Sequence, residues 1–307
     1  MDLSKFKCSF QLGDNMGKVT RTDDLTSHPS TITGVHVHPA VDHIVMTTSR
    51  DGTFHFTDDD KLIANMKIHK SKILSSCLSR TKGYFSSYNK LFSYDIQSNM
   101  MYPLSFHFVQ PSKLDIYSKE SYLTLIGDKA IHVVDSHQKQ LIFSIKTHKK
   151  ATGFQFFNDN ELLYASNDTV YRYDIRSQSC IATYKDSNFQ SKQLAVNGNG
   201  INGYLATGSS NGNVHLYRFK DDKLDLIKEF GNTTTSINGI HFSDSYLFFH
   251  SDVKKDSAKV VDLTTLQVFD HWPTQLTPLG YIQYSAFSDS KMIIGNSKGK
   301  VQSYQIN

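Results

Sequence analysis

Asp51-Gly52-Thr53-Phe54-His55-Phe56-Thr57-Asp58 reads as a tight turn followed by a short run of β-branched and aromatic residues that leaves on an aspartate. The shape returns at Lys90-Leu91-Phe92-Ser93-Tyr94-Asp95, Ala130-Ile131-His132-Val133-Val134-Asp135 and Thr169-Val170-Tyr171-Arg172-Tyr173-Asp174. It continues in weaker form through Asn211–Arg218, Ala258–Asp262 and Lys298–Gln305. With copies ending at 58, 95, 135, 174, 218, 262 and 305, the steps lie between 37 and 44 residues. A period of about 40 to 45 residues is that of a propeller blade made of four strands. Seven copies therefore predict seven blades.

Other strands fall in place around these runs. Val35-His36-Val37-His38-Pro39 and Phe154–Phe157 supply an earlier strand of their copies, and Ile44–Thr48 and Leu162–Ser166 the next. His28, His69 and His148 each precede the first strand of a copy. They read as the histidine that links the outer strand of one blade to the next, with Ser49 and Asp51 as partners in the first copy. The last copy stops after a third strand, and Gly17-Lys18-Val19-Thr20-Arg21-Thr22 alternates suitably to supply the fourth. The expected fold is thus all-β, a seven-bladed WD40-type β-propeller closed by an N-terminal strand. Residues 1–16 form a short N-terminal segment and 17–307 the propeller, with 17–22 as the closing strand of the last blade.

At 307 residues, with 38% hydrophobic and 20% charged, the chain can bury a sizeable core. Thirty-three basic against 29 acidic side chains give a net charge of +4, too mild a surplus to establish a nucleic-acid partner by itself. Cys8, Cys77 and Cys180 contain no CxxC pair and predict neither a disulfide framework nor a zinc knuckle. The start lacks an uninterrupted apolar stretch, and no apolar run approaches the roughly 20 residues of a membrane span, so a soluble, intracellular protein is expected.

Catalytic motifs are not found: there is no G-x-S-x-G, GxxxxGK[ST] or HExxH. Ser, His and Asp are abundant, but the histidines that recur with the repeat have a structural explanation. His36 and His38 share one face of a strand, as a metal pair would, yet His38-Pro39 lies where that strand ends in a turn. No enzyme, metal or cofactor is expected. Basic clusters are more informative. Lys67, His69, Lys70 and Lys72 share their phase of the repeat with Lys146, His148, Lys149 and Lys150, and further lysines pair at 254–255 and at 298 and 300. The first two clusters occupy links between blades and would form a positive arc on one rim, suited to phosphate contacts with little base specificity.

The last two copies carry a closer likeness. Ala258-Lys259-Val260-Val261-Asp262, Val268-Phe269-Asp270-His271-Trp272-Pro273-Thr274, Thr277-Pro278-Leu279-Gly280 and Gly295-Asn296-Ser297-Lys298-Gly299-Lys300-Val301 together resemble the U3 small nucleolar RNA-associated protein 18 family. More loosely, the resemblance extends over residues 15 to 307. It implies a nucleolar, non-enzymatic WD40 scaffold of the UtpB subcomplex in the small-subunit processome. Such a protein packs beside other WD40 proteins near the 5' external transcribed spacer of pre-ribosomal RNA and acts in pre-rRNA processing and small-subunit assembly. The runner-up is a generic WD40 adaptor, such as a ubiquitin-ligase substrate receptor or a transport-complex subunit.

Two departures narrow what is carried over. Family members have a long, charged N-terminal extension, whereas about 25 residues precede the first copy here, so recruitment of the exosome-associated RNA helicase through that extension is not implied. Leu91-Phe92-Ser93-Tyr94-Asp95 superficially fits the arch-binding motif but occupies a blade strand. The other departure is the single tryptophan, Trp272, which with Pro273 lies outside the repeated strand positions. Packing between blades and a partner-facing anchor are its two readings. Expected partner or RNA contacts are therefore Lys67, Lys70, Lys72, Lys146, Lys149, Lys150, Trp272 and Pro273.

Overall fold

A computed structural model describes residues 19–306 apart from 60, 69–70, 89, 107–114, 120–121, 128, 148, 187–189, 198–202, 221–222, 270, 275–277 and 289–290. The expected 1–16 segment, His69, Lys70 and His148 lie outside the described residues. β1 (Val19–Ser27) precedes the first complete blade, which is β2 (Ile32–His38), β3 (Val41–Ser49), β4 (Thr53–Asp58) and β5 (Lys61–Lys67). Blade 2 is β6 (Ser75–Leu78), β7 (Lys82–Ser86), β8 (Leu91–Asp95) and β9 (Met100–Leu104), and blade 3 is β10 (Asp115–Lys119), β11 (Tyr122–Ile126), β12 (Ala130–Asp135) and β13 (Gln140–Lys146). Blade 4 comprises β14 (Gly153–Phe156), β15 (Glu161–Ser166), β16 (Thr169–Asp174) and β17 (Ser179–Lys185). Blade 5 comprises β18 (Ser191–Asn197), β19 (Tyr204–Ser209), β20 (Val214–Lys220) and β21 (Lys223–Phe230). Blade 6 is β22 (Gly239–Phe242), β23 (Tyr246–His250), β24 (Ala258–Asp262) and the short β25 (Gln267–Val268). Blade 7 is β26 (Ile282–Ser288), β27 (Lys291–Asn296) and β28 (Lys300–Ile306), completed by β1.

Every sheet is four-stranded and antiparallel in chain order, with one exception that closes the ring: β1 pairs with β28, from Val19 opposite Ile306 to Ser27 opposite Lys300. The N-terminal closure expected from the sequence is therefore present. It covers the edge of β28, whose backbone groups would otherwise lack partners.

The aspartate that ends the third strand of five blades has a local cause. Asp95 Oδ1 accepts the Ser98 N–H (2.9 Å), Asp135 Oδ1 those of His137 and Gln138, Asp174 Oδ1 those of Arg176 and Ser177, and Asp262 Oδ1 those of Thr264 and Thr265. A short carboxylate mimics the backbone and fixes the turn into the outer strand. These backbone N–H groups hold the Asp95, Asp135 and Asp174 carboxyls below the usual range. The repeat also shows in the ladder. In blades 1, 3, 4 and 5 a bulge falls at one phase of the third strand, between Phe56 and Thr57, Val133 and Val134, Arg172 and Tyr173, and Leu216 and Tyr217.

Middle strands are buried on both faces because each blade is sandwiched between two others. β3 ends in five consecutive buried residues, and β27 buries Met292 through Asn296. Apolar clusters fill the junctions between blades: Phe54 and Phe56 of blade 1 meet Phe85 and Tyr94 of blade 2, and Leu216 and Phe230 of blade 5 meet Leu247 and Phe249 of blade 6. Blade 7 gives Ile293 and Val301 to a cluster with Leu25, Ile32, Val35 and Val45, so the seam is packed as well as paired. Leu91 and Tyr94 are buried, which commits the Leu91–Asp95 stretch to its sheet.

Candidate functional site

Antiparallel order brings two kinds of connection to one face of the ring: the turn from second to third strand, and the link from the outer strand to the next blade. That face carries Arg50, Lys72, Lys90, Lys129, Lys149 and Lys150 in its turns and links, with Lys67 and Lys146 at the adjoining ends of outer strands. The opposite face carries the aspartate-capped turns, with Asp58, Asp59, Asp95, Asp135, Asp159, Asp174, Asp244 and Asp262. Charge is biased rather than fully segregated: Asp51, Asp168, Asp186, Asp252 and Asp256 also lie on the lysine-rich face, and Arg80, Lys139 and Arg176 among the aspartate-capped turns.

On the basic face Lys67, Lys72, Lys146, Lys149 and Lys150 are all exposed. Lys67 also lies 3.5 Å from Asp51. The 67–72 and 146–150 clusters come from the links after blades 1 and 3, so blades 2 and 3 lie between them. Trp272 is different. It is 3% exposed, with its ring centroid 5.7 Å from that of Tyr304 and 6.2 Å from that of Phe248, inside the cluster between blades 6 and 7. Packing, the first of its two readings, is what this burial supports; a side chain so enclosed presents no surface to a partner. Pro273, joined to it by a cis bond, is half-buried.

Much of the Ser, His and Asp content is consumed between blades. His28 is buried, with Nδ1 3.0 Å from Thr53 Oγ1 and Nε2 2.9 Å from Thr47 Oγ1. Thr53 donates in turn to Asp51 Oδ1 at 2.7 Å. The expected partners were therefore displaced: Asp51 is reached through Thr53, and Ser49 donates to the Thr31 carbonyl instead. The His28 ring stacks on His55, with centroids 3.9 Å apart, and His55 Nδ1 meets Thr26 Oγ1 of the closing strand at 2.7 Å. Burial, reinforced by His55, lowers the His28 pKa to about 4 against a weaker pull from Asp51.

A second network was not anticipated. Asp186, in the link after blade 4, is buried and accepts hydrogen bonds from Ser191 Oγ and from Tyr217 OH (2.7 Å). His215 Nδ1 lies 3.4 Å from the same carboxylate, and its Nε2 lies 3.5 Å from Glu229. Burial works to lower the His215 pKa, but the bond and charge of Asp186, helped by Glu229, outweigh it and the net shift is upward. Asn211-Gly212-Asn213-Val214-His215 aligns with Asp51-Gly52-Thr53-Phe54-His55, which places Asp186 where blade 1 has His28. This alignment was the available signal. The Ser191 hydroxyl donates to the carboxylate rather than to an imidazole, so the trio lacks the nucleophile-to-base contact of a hydrolytic triad.

Inner strands are tied in the same manner. His36 Nε2 meets Ser76 Oγ at 2.9 Å and His38 Nε2 meets the Arg80 carbonyl at 2.8 Å, both across to blade 2. Gln155 brackets Val196 with two bonds, and Asn197 donates to the Ser243 carbonyl. The pair considered as metal ligands thus serves to register neighbouring blades. No group of three or more metal-ligating side chains occurs among the described residues.

No protein-family model matches the chain. Its architecture resembles the crystal structure of the computationally designed Ika8 protein, with a TM-score of 0.71, 16% identity, and coverage of 92% of this chain and 98% of that one, a likeness of fold alone. In sequence it is 25% identical over 302 residues to the U3 small nucleolar RNA-associated protein 18 homolog of Homo sapiens, covering 90% of this chain and 53% of that protein. The Arabidopsis thaliana homolog is 28% identical over 62% of this chain and 37% of its own length. The Saccharomyces cerevisiae protein of that name is 34% identical over 34% of this chain and 19% of its own. The chain spans about half the length of the human relative it matches. Over most of its length it resembles the U3 small nucleolar RNA-associated protein 18 family, in proteins from animals, a plant and yeasts.

Proposed function

We propose that this propeller acts in ribosome biogenesis as a non-enzymatic scaffold of the small-subunit processome, in the nucleolus, supporting pre-rRNA processing and small-subunit assembly. The observation that carries the reading is similarity to U3 small nucleolar RNA-associated protein 18 homologs running through 90% of the chain. The architecture agrees with a role in offering surfaces: the polar networks join blades, and charge is unevenly shared between two faces. Other WD40 proteins of the UtpB subcomplex are the proposed protein partners, with pre-ribosomal RNA near the 5' external transcribed spacer. Lys67, Lys72, Lys146, Lys149 and Lys150 on the basic face, and Lys70 of the same stretch of sequence, are proposed to contribute phosphate contacts. Affinity purification of the tagged full chain tests the proposal. Recovery of pre-ribosomal RNA with other propeller proteins is expected; recovery of ubiquitin-ligase or coat components in their place would overturn it.

A further inference from the structure

One part of the basic face is built differently from the rest. The turn between β23 and β24 exposes Val253, Lys254 and Lys255; the link into blade 7 exposes Tyr281; and the turn between β27 and β28 exposes Lys298, with Lys300 beside it. These three segments are fastened to one another. Asp256 Oδ1 accepts the N–H groups of Leu279 (2.7 Å) and Gly280 (2.9 Å), and Asp256 N–H donates to the Gly280 carbonyl at 2.9 Å. Asn296 Nδ2 donates to the Leu279 carbonyl at 3.2 Å, and Ser297 N–H to the Tyr281 carbonyl at 2.9 Å. Asn296 Oδ1 accepts the Lys298 and Lys300 N–H groups, which fixes the second turn.

The consequence is a platform of three tied segments that carries one exposed aromatic ring and four exposed lysines. Tyr281 is 39% exposed, and Lys255 Nζ sits 5.7 Å from its ring centroid. No described carboxylate pairs with Lys254, Lys255, Lys298 or Lys300. The turn's own acids are turned to other work: Asp256 holds two backbone N–H groups, and Asp252 is half-buried. An exposed aromatic ring with one lysine against it and further lysines on the adjoining turns is chemistry suited to single-stranded nucleic acid, where bases stack and phosphates meet lysine. An acidic protein segment would find the charges but leave the exposed ring unused.

We infer that Lys254, Lys255, Tyr281, Lys298 and Lys300 form a binding platform for single-stranded RNA, with one base stacked on Tyr281 and the lysines on the flanking phosphates. This rests on the ribosome-assembly reading for its choice of RNA over other anions. The 67–72 and 146–150 clusters lie on the links after blades 1 and 3, away from Tyr281, and would add charge to the face.

Fluorescence anisotropy of the full chain with a labelled 12-nucleotide single-stranded RNA tests the inference, with thermal melting as the folding control. Tyr281→Ala is expected to weaken binding by about 5- to 100-fold, the worth of one stacked base, and Tyr281→Phe to restore it. With four phosphates contacted, the log–log salt slope should be about −2.8, and Lys254→Glu with Lys255→Glu should flatten it by about half. Lys67→Glu with Lys146→Glu and Lys149→Glu should change affinity much less. The reverse ranking would overturn the platform while leaving RNA binding by the propeller intact. Absence of RNA binding, with pre-ribosomal RNA still recovered from cells through partners, would overturn the platform and spare the scaffold reading. Variants that keep RNA affinity but lose a co-purifying protein would show a protein interface instead, and would likewise overturn it.

Discussion

Replacing Trp272 by alanine should unfold the junction between blades 6 and 7 before it affects any partner. The side chain is 3% exposed and lies against Tyr304 and Phe248, among Val260, Ile282, Met292 and Ile294. An aromatic of this size buries about 200 Å2, worth about 5 kcal/mol at 25 cal/mol per Å2. One offset applies: the indole Nε1 is buried with no acceptor among the described residues, and its removal returns about 1 kcal/mol. The net cost is about 4 kcal/mol, within the range for Trp→Ala in a core. For 307 residues an unfolding entropy near 2.1 cal/mol/K per residue turns this into a fall in Tm of about 6 °C. Trp272→Phe should cost far less, because it keeps a ring and removes the unsatisfied N–H. Differential scanning calorimetry and urea midpoints measure both. A Trp272→Ala protein that melts within about 1 °C of the parent, yet loses co-purifying proteins, would refute the packing argument and make the tryptophan an interface residue.

Three further outcomes follow from the same geometry. Deleting residues 1–27 removes the strand opposite β28 together with Leu25 and the Thr26–His55 bond, and should give aggregated or protease-sensitive protein; a folded, monomeric deletion would disprove the seam. Asp186→Ala strands Ser191, Tyr217 and His215 around an empty position and should cost about 3–5 kcal/mol by urea unfolding, whereas a loss under about 1 kcal/mol would show the network to be dispensable. Burial lowers His28 to about 4 and His250 to about 3, so the folded state binds fewer protons than the unfolded chain below pH 6.5. Their stability contribution is complete above that value and is lost as pH falls towards 4, with about 4 kcal/mol gone by pH 5. His215 runs the other way, contributing below the ordinary histidine value and fading as pH rises through its elevated one. Urea midpoints from pH 8 to 5 that stay flat would contradict these assignments.

The fold was legible because the residues that repeat are the ones that make turns. Asp58, Asp95, Asp135, Asp174 and Asp262 mark the ends of third strands, and four of the five are seen capping the following turn. The histidine register was legible for His28, but its partners were not. Thr47, Ser49, Asp51 and Thr53 all lie within reach of the linking loop, and only the positions of strands β3 and β4 decide that the two threonines meet the ring. Asp186 and His215 escaped notice because blade 5 exchanges the usual places of acid and base while keeping the junction paired. Trp272 was recognised as exceptional by its position outside the repeat, yet sequence alone left packing and docking both open, since a long link either folds back over its blade or projects from it.

Charge polarity needed both pieces of information. In one dimension Lys254, Lys255 and Lys298 are scattered among Asp252, Asp256 and Asp262 and nearly cancel. Folding carries Asp262 to the other face but leaves Asp252 and Asp256 in the turn of Lys254 and Lys255, where Asp256 is tied to the Leu279 and Gly280 N–H groups. The two faces differ in cause. Aspartates on one face cap turns, so their charge is a by-product of building the repeat. Lys254 and Lys298 on the other make no side-chain hydrogen bond or ion pair with any described residue. Lysines that make no such contact within the chain are left free to meet an anion, and the proposed platform draws on that freedom. That is why the basic face, and its tyrosine-bearing sector in particular, is where an anionic partner should be sought first.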